Sequence, residues 1–212
     1  ISLFGNAAIR FALPLYLLNQ TGSSALYGTV TACAFIPAIL LSPVGGVVAD
    51  RVSKRNIMVT LDFFTAGVIT VFLLLMGTAD LVLLTTVVLM LLYGISGAYQ
   101  PSVQASIPVL VTPEHSMAAN SVVNTISSFA SLMGPVLGGI LYSTYGLKPV
   151  LRVCTACFVL SAVMEIFIKI PFTAPQSGGG IWQMVKGDFA ESLRFIRKEK
   201  PVIGKALLVV CG

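Results

Sequence analysis

The chain of 212 residues is 56% hydrophobic and only 10% charged, whereas a soluble domain has about 25% charged residues. Its mean hydropathy of +0.94 excludes a soluble globular protein and indicates a membrane protein. The net charge of +5 does not indicate a nucleic-acid partner, because nearly half of the basic residues fall between residues 169 and 200. That stretch follows the last full apolar run, where chain orientation or anionic lipid explains such a cluster.

Six long apolar runs predict an all-α membrane protein, since about 20 apolar residues as a helix cross a bilayer. The predicted spans are residues 1–18, 25–49, 57–77, 81 to about 111, 117–145 and 150–170. Past Pro101, the fourth run is predicted either to continue as a helix end or to form a short separate helix. Residues 1–170 are therefore expected to be one transmembrane domain with six helices.

Residues 171–201 differ in composition and are predicted to form a connecting segment. Ser177-Gly-Gly-Gly180 is typical of a flexible linker, and residues 181–200 place apolar side chains at helical spacing. This amphipathic helix is expected to lie at the membrane interface, anchored by Trp182, or else to pack on another soluble part. Residues 202–212 are apolar again and predict the start of a seventh span, so we expect a fragment of a longer chain.

The densest group of charges in the first 110 residues lies between the second and third runs, from Gly46 to Asn56. Short loops rich in Lys and Arg stay on the cytoplasmic side, which predicts a cytoplasmic N-terminus and a cytoplasmic linker. In its simplest interpretation the loop is only a topology anchor. The pattern Gly-x-x-x-Asp-Arg-x-x-x-Arg, however, resembles the signature loop of the major facilitator superfamily of transporters. The matching positions are Gly46, Asp50, Arg51, Lys54 and Arg55, and Ser53 stands where that family usually has glycine.

The fifth run contains Gly134-Pro135-Val-Leu-Gly138-Gly139. Small residues every four positions give a flat face that lets another helix approach closely, and Pro135 favours a bend. The pattern resembles the antiporter motif of the same superfamily, although such glycines are also common in other membrane bundles. The fourth run has no arginine, whereas drug antiporters of this family often have one there.

Three ionisable side chains and one amide fall within spans and are candidates for a substrate or proton path, because such groups are unfavourable in lipid. They are Asn6, Arg10, Asp62 and Glu165. Two simpler interpretations stay open. Arg10 and Asp62 could form a structural ion pair between neighbouring helices, and Glu165 could pair with Lys169 four residues later.

No arrangement typical of an enzyme is present. The only histidine, His115, is beside Glu114 in a predicted loop without metal-ligand spacing, and no nucleophilic triad or phosphate-binding loop occurs. Cys154 and Cys157 have the spacing of a redox motif, but within an apolar span they are expected to be packing thiols. The sequence therefore predicts no catalysis, no metal site and no cofactor.

Several further stretches resemble the macrolide-efflux and siderophore-exporter branch of the superfamily, among them residues 11–18, 21–23 and 119–120. The resemblance implies a six-helix half of a twelve-helix transporter, built as two inverted three-helix repeats. It also implies a proton-coupled exporter of drugs or other small molecules in a bacterial inner membrane, with a C-terminal half completing the same chain. The alternative is a sensor or scaffold that uses the same bundle without transport.

Overall fold

The computed structural model describes residues 1–78 and 80–168, and within these ranges the chain is helical apart from short turns. The six α-helices are α1 (Ser2–Thr21), α2 (Ser24–Arg51), α3 (Lys54–Leu75), α4 (Leu81–Leu110), α5 (Ser116–Tyr145) and α6 (Leu147–Phe167), with a 3-10 turn at Pro113–His115. The predicted linker at 171–201 and the predicted seventh span at 202–212 lie outside the described residues.

The turns between helices use short polar side chains and glycine. Gly22 ends α1 in the left-handed conformation, with φ of 67°, where glycine is favoured. The hydroxyl of Ser23 then accepts a hydrogen bond from the backbone N–H of Leu26 and caps α2. The carboxylate of Asp80 accepts one from the N–H of Leu83, at 3.0 Å, and caps α4 in the same way. These caps define the end of α1 and the beginnings of α2 and α4.

The expected loop at residues 46–56 is shorter than the charge pattern suggested. Only Val52 and Ser53 separate α2 from α3, so Lys54 and Arg55 belong to the first turn of α3. In the same way, α4 is continuous through Pro101 as far as Leu110, which excludes a separate short helix there. The continuous helix places the whole polar stretch that ends at Pro101 on one rigid element.

Five of the described helices are long and apolar enough to cross a membrane, namely α2 to α6. The first helix has 20 residues, which gives it about the same length as a span. Its hydropathy is lowered by Asn6, Arg10, Asn19 and Gln20. One face of α1 is nevertheless buried against the other helices, and Asn6 and Arg10 are half-buried in the bundle, whereas Asn19 and Gln20 are exposed at the end of the helix. The predicted all-α half-bundle is confirmed.

The packing of the six helices repeats itself. The most extensive contacts pair α2 with α4, α1 with α5, and α3 with α6. In a bundle of two equivalent halves, α1 corresponds to α4, α2 to α5 and α3 to α6. Under this correspondence the α2–α4 contact is equivalent to the α5–α1 contact, and the α1–α6 contact is equivalent to the α4–α3 contact. Each contact therefore has its counterpart, as expected for two three-helix repeats.

Glycine allows the closest of these contacts. A Cβ atom added to Gly97 of α4 would lie 2.7 Å from the carbonyl oxygen of Ala38 in α2. A Cβ atom on Gly138 of α5 would lie 3.1 Å from the Cα atom of Ala8 in α1. Both symmetry-related pairs thus depend on small residues that let backbones approach.

Candidate functional site

Two groups of polar side chains lie inside this apolar bundle. The first, around Arg10, lines a cavity formed by α1, α2 and α4, and we refer to it as the Arg10 cavity. The second contains Asp62 and Glu165 with Tyr99 and Ser2, and we refer to it as the carboxyl cluster. Ser2 and Arg10 are eight residues apart, or about 12 Å along α1, whereas on α4 the two groups adjoin, because Gln100 lines the cavity and Tyr99 belongs to the cluster.

The guanidinium of Arg10 is held by α4. Its Nη2 atom donates a hydrogen bond of 3.0 Å to the carbonyl oxygen of Leu92. Its Cζ atom lies 4.0 Å from the centre of the Tyr93 ring, within the range of a cation–π interaction. The Nε atom is buried without a hydrogen-bond partner. The cation is therefore stabilised by an aromatic face and a backbone carbonyl, with hydrogen-bonding capacity left over.

The Arg10 cavity has a volume of about 600 Å³. Phe35 of α2 packs edge-on against Tyr93, with ring centres 4.8 Å apart and an interplanar angle of 64°. The lining combines aromatic, small and polar side chains: Arg10, Phe35, Ala38, Ile39, Ser42, Tyr93, Ser96, Gly97 and Gln100. Such a mixture suits a ligand with an apolar body and at least one hydrogen-bond acceptor.

The carboxyl cluster lies where α1, α3, α4 and α6 converge. Asp62 and Glu165 are only 2% and 7% exposed. The hydroxyl of Tyr99 donates a hydrogen bond of 2.7 Å to Oε1 of Glu165 and lies 3.2 Å from the hydroxyl of Ser2. Oδ2 of Asp62 and Oε2 of Glu165 are buried without hydrogen-bond partners. Two acidic groups thus share a buried site, with one oxygen of each left unsatisfied.

The structure separates residues that the sequence grouped as a single path. Arg10 contacts α4 instead of Asp62, so the predicted alternative of an Arg10–Asp62 ion pair is wrong. Asn6 is half-buried on α1, one turn from Arg10. The other possible pair, Glu165 with Lys169, involves a residue outside the described part of the chain.

The inner-loop signature is divided between two helices. Gly46 lies in α2, with open space where a Cβ atom would be, whereas the side chains of Asp50 and Arg51 are outside the described set. Arg55 donates a hydrogen bond of 3.4 Å from Nη1 to the carbonyl oxygen of Ile166, at the C-terminal end of α6. This contact joins the beginning of α3 to the end of α6, where a cation is favoured by the helix dipole.

The glycines of the fifth span pack inside the described bundle. Gly134 approaches Ala7, and Gly138 approaches Ala8, both on α1. A Cβ atom on Gly139 would lie 3.1 Å from the ring of Phe11. Pro135 lies within α5, which continues without interruption to Tyr145. The small face of α5 is therefore directed toward α1.

Sequence reasoning missed Tyr93 and Tyr99, the side chains that organise the two sites. The available signal was the change from apolar to small and polar residues between positions 94 and 101, which places hydroxyl groups inside a span. Cys154 is buried and its thiol donates to the carbonyl oxygen of Gly5 at 3.5 Å, which fits a packing role. Among the described residues, no three His, Cys, Asp or Glu side chains come together as metal ligands.

Comparison with known proteins agrees with a helical membrane bundle. Residues 1–212 match the Major Facilitator Superfamily. Macrolide efflux protein A of Streptococcus pyogenes is 23% identical over 172 residues, covering 81% of this chain and 42% of that protein. Multidrug resistance protein MdtG of Escherichia coli is 32% identical over 160 residues, covering 73% of this chain and 38% of that protein.

A third relative, the uncharacterized MFS-type transporter YkuC of Bacillus subtilis, is 23% identical over 206 residues, covering 94% of this chain and 48% of that protein. The chain thus spans between 38% and 48% of the length of these relatives. The match to the superfamily includes all six described helices.

Proposed function

This chain belongs to the Major Facilitator Superfamily, and from that premise we propose that it moves small molecules out of a bacterial cell in exchange for protons. Transport would proceed by alternating access, with the six-helix bundle moving against a second half of the same protein. The five apolar helices and the family make it a multi-pass membrane protein, and this family indicates a transporter rather than an enzyme.

The observation that supports this proposal best is the Arg10 cavity. A cavity of about 600 Å³ that presents Arg10, Ser96 and Gln100 within a membrane bundle is unfavourable unless water or a ligand contacts these polar groups. Arg10 lies roughly 13 Å from the outer end of the span by helical rise, which is near the midplane where transporters bind their substrates. A cavity at this depth is suited to a molecule in transit.

The lining indicates which molecules would bind. Tyr93 and Phe35 offer aromatic surface, and Arg10, Ser96 and Gln100 offer hydrogen-bond donors. Relatives named for macrolide efflux and multidrug resistance suggest large, amphipathic antibiotics as the first compounds to test. Protons are proposed as the coupling ion because the bundle contains buried carboxyl groups as well as a cavity.

The inner-loop residues would act as a gate. By the family resemblance, Asp50, Arg51 and Arg55 would form a charge cluster that holds the two halves together when the transporter faces outward, with Gly46 and Lys54 in the same signature. Gly134, Pro135, Gly138 and Gly139 would hold α5 tightly against α1 as the bundle moves. The Lys and Arg imbalance between loops supports an inner-membrane protein with a cytoplasmic N-terminus and linker.

The test is transport by the full-length protein in proteoliposomes. Uptake of a labelled macrolide would be measured with and without an imposed proton gradient. We expect gradient-dependent uptake, at least tenfold lower in Arg10→Ala, while Arg152→Ala, an exposed arginine on α6, is unaffected. Binding of the macrolide without any transport would instead favour the sensor or scaffold that uses the same bundle.

A further inference from the structure

We propose that Asp62 and Glu165 form a proton-binding site that is separate from the substrate cavity, and that Tyr99 positions Glu165 within it. The proposal deepens the exporter function, because it names the groups that would couple transport to protons. Only the role of the site in coupling rests on the exporter function, because proton binding itself can be tested without any substrate.

Burial is the first argument. Asp62 of α3 and Glu165 of α6 are both almost completely enclosed, at 2% and 7% exposure. A charged carboxylate removed from water is strongly unfavourable unless a cation or several hydrogen bonds compensate it. Among the described residues, neither carboxyl forms an ion pair with a Lys or Arg side chain. A bound proton removes this penalty.

The second argument is that each carboxyl group has a buried oxygen that is available to hold a proton. Each has an oxygen that is buried and lacks a hydrogen-bond partner, Oδ2 in Asp62 and Oε2 in Glu165. Protonation at either oxygen removes one negative charge from the cluster, and with it the repulsion between the two acidic groups. The two carboxyl groups therefore offer a place for at least one proton within the bundle.

The surroundings of the pair are specific. From α4, Tyr99 donates to Oε1 of Glu165 at 2.7 Å, and from α6, Ser161 lies beside Asp62. From α1, Ser2 contacts the Tyr99 hydroxyl. Because Tyr99 occupies one oxygen of Glu165, the remaining oxygen is the one available to the proton.

The position of the pair is the third argument. Asp62 lies eight residues, or about 12 Å, after Lys54 at the beginning of α3. Ser2, which belongs to the carboxyl cluster, lies about 12 Å before Arg10 on α1. The carboxyl cluster therefore lies between the Arg10 cavity and the end of the bundle where α2 meets α3. Proton and substrate would therefore bind at different places, and their coupling would pass through α1 and α4, which contribute to both sites.

The direct test uses infrared difference spectroscopy on the full-length protein in lipid, without substrate. A pH step should produce a band from a protonated, buried carboxyl group. We expect Asp62→Asn and Glu165→Gln each to remove or shift this band, and Glu114→Gln, a matched exposed carboxyl near α5, to leave it unchanged. A spectrum without such a band, or one unaffected by both variants, would overturn the proposal.

Tyr99→Phe separates positioning from packing. The variant retains the ring and loses only the hydroxyl that donates to Glu165. We expect the midpoint of the carboxyl band to move by at least half a pH unit, whereas a purely structural role would change thermal stability and leave the midpoint in place.

Two transport measurements complete the test. The first measures exchange of labelled for unlabelled macrolide without a gradient, in which Asp62→Asn and Glu165→Gln should remain active. The second measures gradient-driven uptake, whose rate should be at least tenfold lower in both variants. Full gradient-driven uptake in the variants, or uptake driven by Na⁺ and abolished by them, would overturn the assignment. If the wild-type protein transports nothing but the carboxyl band is present, the exporter function fails and the proton site stands.

Discussion

Arg10 lies against Tyr93, with its guanidinium carbon 4.0 Å from the ring centre, and is turned toward α4 rather than toward the acidic side chain of Asp62. An arginine inside a membrane bundle needs a partner. Here the partner is the face of an aromatic ring together with a backbone carbonyl, so the charge of Arg10 is not neutralised. A positive charge therefore remains at the edge of the cavity, where it can attract a hydrogen-bond acceptor or an anionic group.

Arg10 and Asp62 are expected to contribute to stability independently. In an ion pair, removing one partner leaves the other charge buried and unpaired, which lowers the free energy of unfolding. Removing both partners recovers much of that lost stability. Because the two side chains belong to separate sites, the effects of Arg10→Ala and Asp62→Asn should add to within about 0.5 kcal/mol in the double variant. Denaturant unfolding in detergent would measure this. Recovery of stability in the double variant would show that the two residues are paired.

The aromatic ring of Tyr93 should matter more than its hydroxyl. Tyr93→Phe keeps the π face over which Arg10 lies, so we expect almost no change in thermal stability. Tyr93→Leu removes that face and should destabilise the bundle by about 0.5–2 kcal/mol. Equal effects of the two substitutions on the unfolding midpoint would contradict the cation–π interaction.

Close packing between α1 and α5 should make Gly138 sensitive to size. A side chain there would press on the backbone of Ala8, so Gly138→Val is expected to destabilise by about 1–3 kcal/mol. Gly28→Ala provides the control, because a Cβ atom at Gly28 meets nothing within 4 Å. Thermal unfolding of the two variants in the same detergent gives the comparison. A stable Gly138→Val variant would mean that the helices separate more readily than the structure indicates.

Much of the fold follows from the sequence because its signals are local. Long apolar runs predicted the helices, and the four-residue spacing of Gly134 and Gly138 predicted a flat face on α5. The sequence did not reveal which helix meets that face. The match to α1, with Ala7 and Ala8 opposite the glycines, depends on the order and rotation of helices in the bundle.

The same limit explains the error at Arg10. Helical rise gives the depth of a residue along its span, and it placed Arg10 near the midplane and Asp62 nearer one end. Rise says nothing about the direction in which a side chain points. The rotation of α1 turns Arg10 toward Tyr93, and the rotation of α3 turns Asp62 toward Ser161 of α6. Sequence reasoning could therefore identify the polar residues but could not assign their partners.

Asp50 is expected to be needed for transport and not for folding. It lies at the end of α2, in the signature shared with the family, and we expect the loss of one charge at this end of the helix to have little effect on stability. Asp50→Asn should therefore reduce macrolide transport at least tenfold with near-normal expression. Comparing transport per amount of protein in membranes checks this. Loss of the protein itself would instead indicate that the loop mainly determines topology.

The orientation of the bundle can be tested with single cysteines. The Lys and Arg of the α2–α3 connection predict that this end lies in the cytoplasm, which places the turns after α1 and α3 outside. Cells that express Ser23→Cys or Asp80→Cys should react with a membrane-impermeant maleimide, and cells that express Lys54→Cys or Glu114→Cys should not. The native cysteines would first be replaced by serine or alanine. A permeant maleimide should label all four variants, which controls for accessibility within the fold. External labelling of Lys54→Cys would show that the bundle has the opposite orientation. The carboxyl cluster would then lie closer to the outer side of the membrane.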